Sequence, residues 1–323
     1  MHSGAIVECV PNISNGRDPA VYNAVADEVR AVQHATGNAV RLLGVDAGAD
    51  TNRTVITFAG EPDAVLEAAL RVVTKATELI DMRTHSGAHP RHGAVDVLPF
   101  VPVSGATMDD CVALAKRAGE AIGASGIPVW LYEYAARRAE RRNLADVRAG
   151  EYESLQSKLG TAEWHPDFGP NVWDDSVART GVCTVGARKF LIAYNINFNT
   201  RSVKLVNDIA KTIREKGRIA RDSEGKFVRD TEGNPVYAPG MFTHCKAMGW
   251  YLPEYEMAQL TMNLTDWEAT PPHEVFDTVT ELALEKGLRV TGSELVGLIP
   301  LVAMRAAGSY FLGKQKGVCT GAA

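Results

Sequence analysis

His85-Ser-Gly-Ala-His89-Pro-Arg91-His92-Gly93-Ala-Val-Asp96 is the densest cluster of polar and special-backbone residues in the chain. Upstream, Glu61-Pro62-Asp63 opens a helix that should run to about Ile80, because a proline just inside an acidic start is a helix N-terminal signal. Downstream, Val95 to Val103 is apolar enough to be a covered strand. A helix and a strand joined by a loop rich in reactive side chains is how a layered α/β scaffold presents chemistry.

Moving outward, Ala5 to Pro11 reads as a strand, and Asp18-Pro19 starts a helix whose Val21, Val25, Val29 and Val32 recur at helical spacing. Val40 to Asp46 and Thr54 to Phe58 read as strands around a turn bearing Gly48. Thr107-Met-Asp-Asp110 resembles a capping box, and Pro128 to Tyr132 supplies another strand. Strands separated by single helices predict a sheet covered mostly on one face. From Glu163 to Gly186 the periodicity stops and Trp, Pro and Gly accumulate, which predicts a long irregular connection. Beyond it the same grammar returns: strand Lys189 to Asn197, helix Val203 to Lys216, strand Leu260 to Leu264, helix Pro272 to Lys286 and a short strand at Val290. The expected class is α/β (α+β) in two subdomains, 1–180 and 181–323. Gly217 to Gly240 reads as a surface excursion with a hairpin, and Gly313 to Ala323 as a loose tail. Arg137, Arg138, Arg141 and Arg142 read as a solvated helix face rather than an anion grip.

Composition narrows the function. A chain of 323 residues, 46% hydrophobic, can bury two cores. No apolar stretch is long enough to cross a bilayer, and the start lacks a signal-peptide pattern, so a soluble, cytoplasmic protein is expected. Five cysteines stand far apart with no C-x-x-C pair, which fits a reducing compartment. A net charge of −5 argues against bulk nucleic-acid binding. An anionic ligand would require a local positive cleft.

His85, His89 and His92 invite a metal reading, but Pro90 and Gly93 break the helix that would bring them onto one face, and metal sites usually also draw an acidic or thiol ligand nearby. No metal is expected. Pro90 holds His89 extended, Gly87 and Gly93 permit close approach of a ligand to the backbone, and the planar fork of Arg91 suits a carboxylate.

These residues also carry a resemblance. Val7-Glu-Cys-Val-Pro-Asn12-Ile-Ser-Asn-Gly-Arg17, Asp46-Ala-Gly-Ala-Asp-Thr-Asn52-Arg53-Thr-Val, the His85 to Phe100 segment, Glu163-Trp-His-Pro-Asp-Phe-Gly-Pro170 and Gly186-Ala-Arg-Lys-Phe-Leu-Ile-Ala-Tyr-Asn-Ile-Asn197 resemble the glutamate formimidoyltransferase family, in order, over roughly Ala5 to Ala307. The resemblance implies ferredoxin-like elements in two subdomains whose sheets face each other across a folate tunnel, and a homodimer. Its substrates would be N-formimino-L-glutamate and tetrahydrofolate. It implies His89 as the catalytic histidine and Asp46 as the carboxylate supporting it. Gly169, Pro170, Asn171, Val172, Trp173, Arg179, Thr180 and Gly181 would form the folate-contacting loop, with Asn12, Arg91, Arg188 and Lys189 as further substrate contacts. Some relatives fuse this transferase to a cyclodeaminase; here no cyclodeaminase domain is expected, and such an activity would belong to a separate protein. The rival readings are transfer of a formyl group from N-formylglutamate, a folate-binding module without catalysis, and a metal-dependent hydrolase on the three histidines.

Overall fold

The computed structural model describes residues 4–87 and 89–315 and divides into two units, Met1–Lys189 and Phe190–Ala323. The first unit runs β1 (Ile6–Cys9), β2 (Asn12–Ile13), α1 (Pro19–Ala35), β3 (Val40–Gly48), β4 (Arg53–Gly60), α2 (Pro62–Leu79), β5 (Val95–Ser104), α3 (Met108–Ala124), β6 (Val129–Glu133), α4 (Leu144–Val147), α5 (Leu155–Leu159), α6 (Asp175–Thr180) and β7 (Cys183–Ala187). β1 and β2 form one interrupted strip, each pairing antiparallel with both β4 and β5; β3 flanks β4. On the other side β5 and β7 are parallel, and β6 pairs parallel with β7.

Alternation of side chains decides the faces. Val7, Cys9, Ile13, Ile56, Phe58, Leu98, Val129, Leu131, Cys183 and Val185 turn to one side and form a single core with the buried faces of α1, α2 and α3. In α1 that stripe is Val25, Ala26, Val29 and Val32, and each buried valine contributes about 1.5–3 kcal/mol of transfer free energy. The opposite face is covered near β6 by a smaller cluster in which Trp130 and Tyr132 meet Val147, Leu155, Leu159 and Val177. The rest of that face mixes polar side chains such as Asn12 and Arg53 with Val55, Val97 and Val101.

Helix starts follow their local chemistry. Asp18 accepts from the Ala20 N–H ahead of Pro19. At α3 the capping box is complete: Thr107 Oγ1 accepts from the Asp110 N–H at 3.1 Å, and Asp110 Oδ2 accepts from the Thr107 N–H at 2.9 Å. Thr107→Ala should lower stability by about 1 kcal/mol, seen as a lower urea midpoint at unchanged slope. A midpoint within error of the parent would mean the cap is dispensable.

The second unit contains β8 (Ile192–Phe198), α7 (Val203–Ile213), β9 (Arg218–Ile219), β10 (Tyr237–Ala238), β11 (Cys245–Leu252), β12 (Met257–Leu264), α8 (Pro272–Glu285), β13 (Val290–Val296) and α9 (Leu301–Lys314). Its antiparallel sheet has the order β11-β12-β8-β13, and its core joins that sheet to Val206, Ile209 and Ile213 of α7 and Val275 and Val279 of α8. The 217–240 excursion is a narrow antiparallel ribbon closed by β9 and β10, with turns at Asp222 to Lys226 and Asp230 to Asn234.

Several expectations need correction. The division falls after Lys189, not after Thr180, because β7 is built into the first sheet. The stretch from Glu163 to Gly186, expected to be irregular, contains α6 and most of β7. Arg137 to Arg142 is not a solvated helix face. Arg141 is fully buried, with Nη1 2.8 Å from Asp167 Oδ2 and Nη2 donating to the carbonyls of Glu163 and His165. Gly313 and Lys314 end α9 and Gln315 caps it, while residues 316–323, with Cys319, lie outside the described residues.

Candidate active site

Three segments of the first unit converge on the polar face of its sheet. The loop from His85 to Pro90 is laid on the turn between β3 and β4: Asn52 Nδ2 donates to Ser86 O at 2.9 Å, and His85 Nε2 lies 2.9 Å from Asn52 O. Asn52 adopts φ +49°, a left-handed conformation that asparagine tolerates, and its Oδ1 accepts from the Gly16 N–H. Gly87 sits so close that a Cβ there would stand 2.2 Å from Thr51 O. Any side chain at position 87 would lift the loop.

Arg53, the first residue of β4, is the hub. Its Nη2 donates to Asn12 Oδ1 at 2.8 Å and lies 2.9 Å from Asp96 Oδ2. Its Nη1 touches His89 Nδ1 and stands 3.3 Å from His89 Nε2. Asp96 also meets Arg148, and its Oδ1 accepts from the His92 N–H and lies 3.1 Å from His92 Nδ1. The far nitrogen of His92 is 3.0 Å from Thr184 Oγ1 on β7. A β-bulge explains how Asp96 reaches this group: Ile13 pairs with Val95 and Asn12 with Val97, leaving Asp96 as the extra residue of β5.

The electrostatics separate the histidines. Burial, reinforced by Arg53, pushes His89 down to about 4, so its imidazole is neutral near pH 7. Arg53 Nη1 can only donate, so with the ring hydrogen on Nδ1, donated to Pro90 O at 2.9 Å, it is Nε2 that accepts from Arg53 at 3.3 Å, and this contact has to open before Nε2 takes a proton. Burial also lowers His92, which Asp96 partly offsets. Burial alone would raise Asp96, yet Arg148, Arg53 and His92 together hold it well below the usual carboxylate range. Burial brings Arg53 down to about 10, still a cation near neutrality.

The remaining expected residues are placed as follows. Asp46 is exposed on β3 and does not hydrogen-bond His89, whose polar neighbour is Arg53. The fork of Arg91 is occupied by Glu151 and Glu153, its Nη2 lying 2.8 Å from Glu153 Oε1, while its Nε donates to His85 Nδ1. These groups edge a cleft of about 410 Å³ with Ser86, Gly87 and Gly150. A cleft of about 500 Å³ beside Arg137, Arg138 and His165 is larger, but Arg138 already donates to the carbonyls of Ala162 and Glu163.

In the loop, Gly169 has φ +83° and packs on Ile127 O, Asn171 meets His165, and Val172 is exposed. Trp173 tilts on Tyr152 with ring centres 5.7 Å apart. Arg179 donates to Glu78 O at the end of α2, and Thr180 to Ser176 O. Gly181, at φ +66°, lies where a Cβ would stand 2.2 Å from His92 O. None of the side chains from Gly169 to Gly181 hydrogen-bonds His89. Arg188 is half-buried and Lys189 exposed at the end of β7.

The three histidines have separate partners, and among the described residues no three His, Cys, Asp or Glu side chains are grouped to hold a metal ion. Sequence reasoning missed Arg53, Asp96 and Arg148 as the frame of His89. One signal was available: Arg53 and Asp96 are opposite charges within otherwise apolar strands, the mark of a buried ion pair.

Residues 6–188 match the formiminotransferase domain, N-terminal subdomain, and residues 193–321 match the formiminotransferase domain. The glutamate formimidoyltransferase of Thermoplasma acidophilum is 37% identical over 311 residues, 95% of this chain and 92% of that protein. The glutamate formimidoyltransferase of Streptococcus pyogenes is 37% identical over 95% of this chain and 93% of its own length. The formimidoyltransferase-cyclodeaminase of Sus scrofa is 45% identical over 96% of this chain but only 53% of that protein, so the chain spans about half the length of that relative. With both subdomains matched in order across nearly its whole length, the chain belongs to the formiminotransferase-domain family.

Proposed function

We propose that this chain transfers the formimino group of N-formimino-L-glutamate to N5 of tetrahydrofolate, giving 5-formimino-tetrahydrofolate and L-glutamate, with His89 as the proton carrier. Membership in the family and similarity to two proteins named glutamate formimidoyltransferase support the reaction. The observation that carries the role of His89 is its neutral imidazole on the polar face of the sheet, framed by Arg53.

In this reading N5 attacks the amidine carbon and His89 Nε2 accepts the N5 proton. The same proton passes to the glutamate nitrogen as its bond to carbon breaks, leaving the donor's amino group neutral and the imidazole restored. Arg53 disfavours the imidazolium, which speeds the second transfer and slows the first. The carboxylates of both substrates offset that bias by lying near the guanidinium. Arg53, itself held by Asp96 and Asn12, takes the orienting place that Asp46 was expected to fill. Arg91 fixes the loop, while Arg188, Lys189 and the exposed side of the 169–181 loop contact the folate. The enzyme is proposed to act in the cytoplasm as a homodimer, as the family resemblance implies; no helix among the described residues is long and apolar enough to cross a membrane.

Chelator-treated protein should convert N-formimino-L-glutamate and tetrahydrofolate, followed by absorbance, with a higher kcat/KM than N-formylglutamate supports. No turnover with the formimino donor, or a preference for the formyl donor, would overturn the reading. The acid limb of kcat/KM should reflect the free enzyme: activity is retained above the lowered pKa of His89 and lost as pH falls through about 4. The limb of kcat should lie at higher pH, because bound carboxylates raise the imidazole. An acid limb of kcat/KM near 6.5 would show that His89 is not the group being titrated.

A further inference from the structure

Among the ionisable groups on the polar face of the first sheet, Glu8 is one that this reaction leaves unused. Val7 and Cys9 point into the helix-side core, so Glu8 between them points to the face that bears Asn12 and Arg53. Glu8 is only 9% exposed, yet among the described residues its carboxyl group has no hydrogen bond and no ion pair. Burial raises it above the usual carboxylate range, and Arg188 offsets this only through space. The Glu8 oxygens are not among the fully buried unpaired atoms, so the nearly buried side chain keeps its carboxyl tip open on this face, with about four acceptor sites that no protein group fills. A carboxyl group held this way on the site face is placed to accept from a ligand's N–H donors.

Position narrows the ligand. Glu8 is four residues from Asn12 along the β1–β2 strip, a span of about 13 Å at strand rise, and Asn12 holds the Arg53 that touches His89. The transferred amidine must be bonded to N5 beside His89, so its nitrogens cannot also be at Glu8. The opposite edge of the pteridine, with its 2-amino group and N3–H, lies one ring system away from N5. It presents two parallel N–H donors, the same pattern by which a guanidinium meets a carboxylate.

We propose that Glu8 recognises the pteridine of the folate acceptor, its two carboxylate oxygens accepting from the 2-amino group and N3–H, with Arg188 facing the 4-oxo oxygen. This rests on tetrahydrofolate being the acceptor. Glu8 is then a specificity residue, and it binds the ring without taking part in proton transfer.

Glu8→Gln tests it beside the unaltered protein. The KM for tetrahydrofolate should rise roughly tenfold to a hundredfold, the KM for N-formimino-L-glutamate should change by less than about twofold, and kcat at saturation should be largely kept. The melting temperature should change little, since the Glu8 carboxyl group has no protein partner to lose. A tetrahydrofolate analogue lacking the 2-amino group should be rejected by the unaltered protein by a similar factor, and Glu8→Gln should lose that discrimination. If the unaltered protein turns over the pair but the variant keeps its KM for tetrahydrofolate, or only the donor KM moves, the assignment fails. A lower melting temperature with both KM values unchanged would make Glu8 structural and also overturn it. If the unaltered protein does not turn over the pair, the proposed reaction fails separately. Quenching of protein fluorescence by tetrahydrofolate alone then decides for Glu8: weaker binding by the variant supports it, and equal binding refutes it.

Discussion

His89→Ala is expected to lower kcat by roughly 10²–10⁴-fold, the usual contribution of a positioned proton carrier, while both KM values move far less. The imidazole is held by Arg53 and the Pro90 carbonyl and is half-buried, so truncation leaves a polar hollow on the sheet face without opening the core. The fold should survive, as unchanged circular dichroism and melting would report. Added imidazole should restore part of the rate with an acid limb set by its own pKa. Parental turnover in a folded His89→Ala protein would remove His89 from the mechanism.

Asp96→Ala is expected to cost about 3–5 kcal/mol of stability, because it strands two cations, Arg53 and Arg148, in a buried place and frees the His92 N–H. Asp96 is fully buried, so solvent does not screen the loss. The sign of the pH dependence follows from its depressed pKa. The stabilisation is fully present above the unfolded value of about 4 and is lost as pH falls from there toward the lower folded value. The difference between parent and variant should therefore be constant near neutrality and shrink only in strong acid. Combining Asp96→Ala with Arg53→Met should cost less than the sum of the two, because the second change removes one stranded charge. An unfolding free energy from urea titration within about 0.5 kcal/mol of the parent would mean that the pair is not a structural keystone.

The elements that the sequence made legible were those with strong local signals. The valine stripe of α1, the Thr107 box of α3 and the apolar run of β5 each state their own structure. What stayed hidden depended on distant partners. β11 alternates weakly between Cys245, Ala247 and Gly249 on one side and Lys246, Met248 and Trp250 on the other, so its partner β12 decides it. α9 lacks an apolar stripe that would set it apart from its surroundings. At the site, the His85 to Asp96 cluster announced itself. The partner of His89 did not, because Arg53 is 36 residues away and Asp96 is aimed by a bulge that only the pairing register reveals.

The insertion of β7 between β5 and β6 bears on how the chain reaches this state. While the polypeptide is being made, β6 has no neighbour in the sheet and β5 has a bare edge until residue 187 has emerged. A fragment cut at Thr180 would retain both open edges and lack Thr184 beneath His92. Such a fragment should aggregate rather than form a half-enzyme, whereas one ending just past Lys189 carries its own closing strand. During synthesis, the proton-handling loop therefore waits on a strand made more than ninety residues after it.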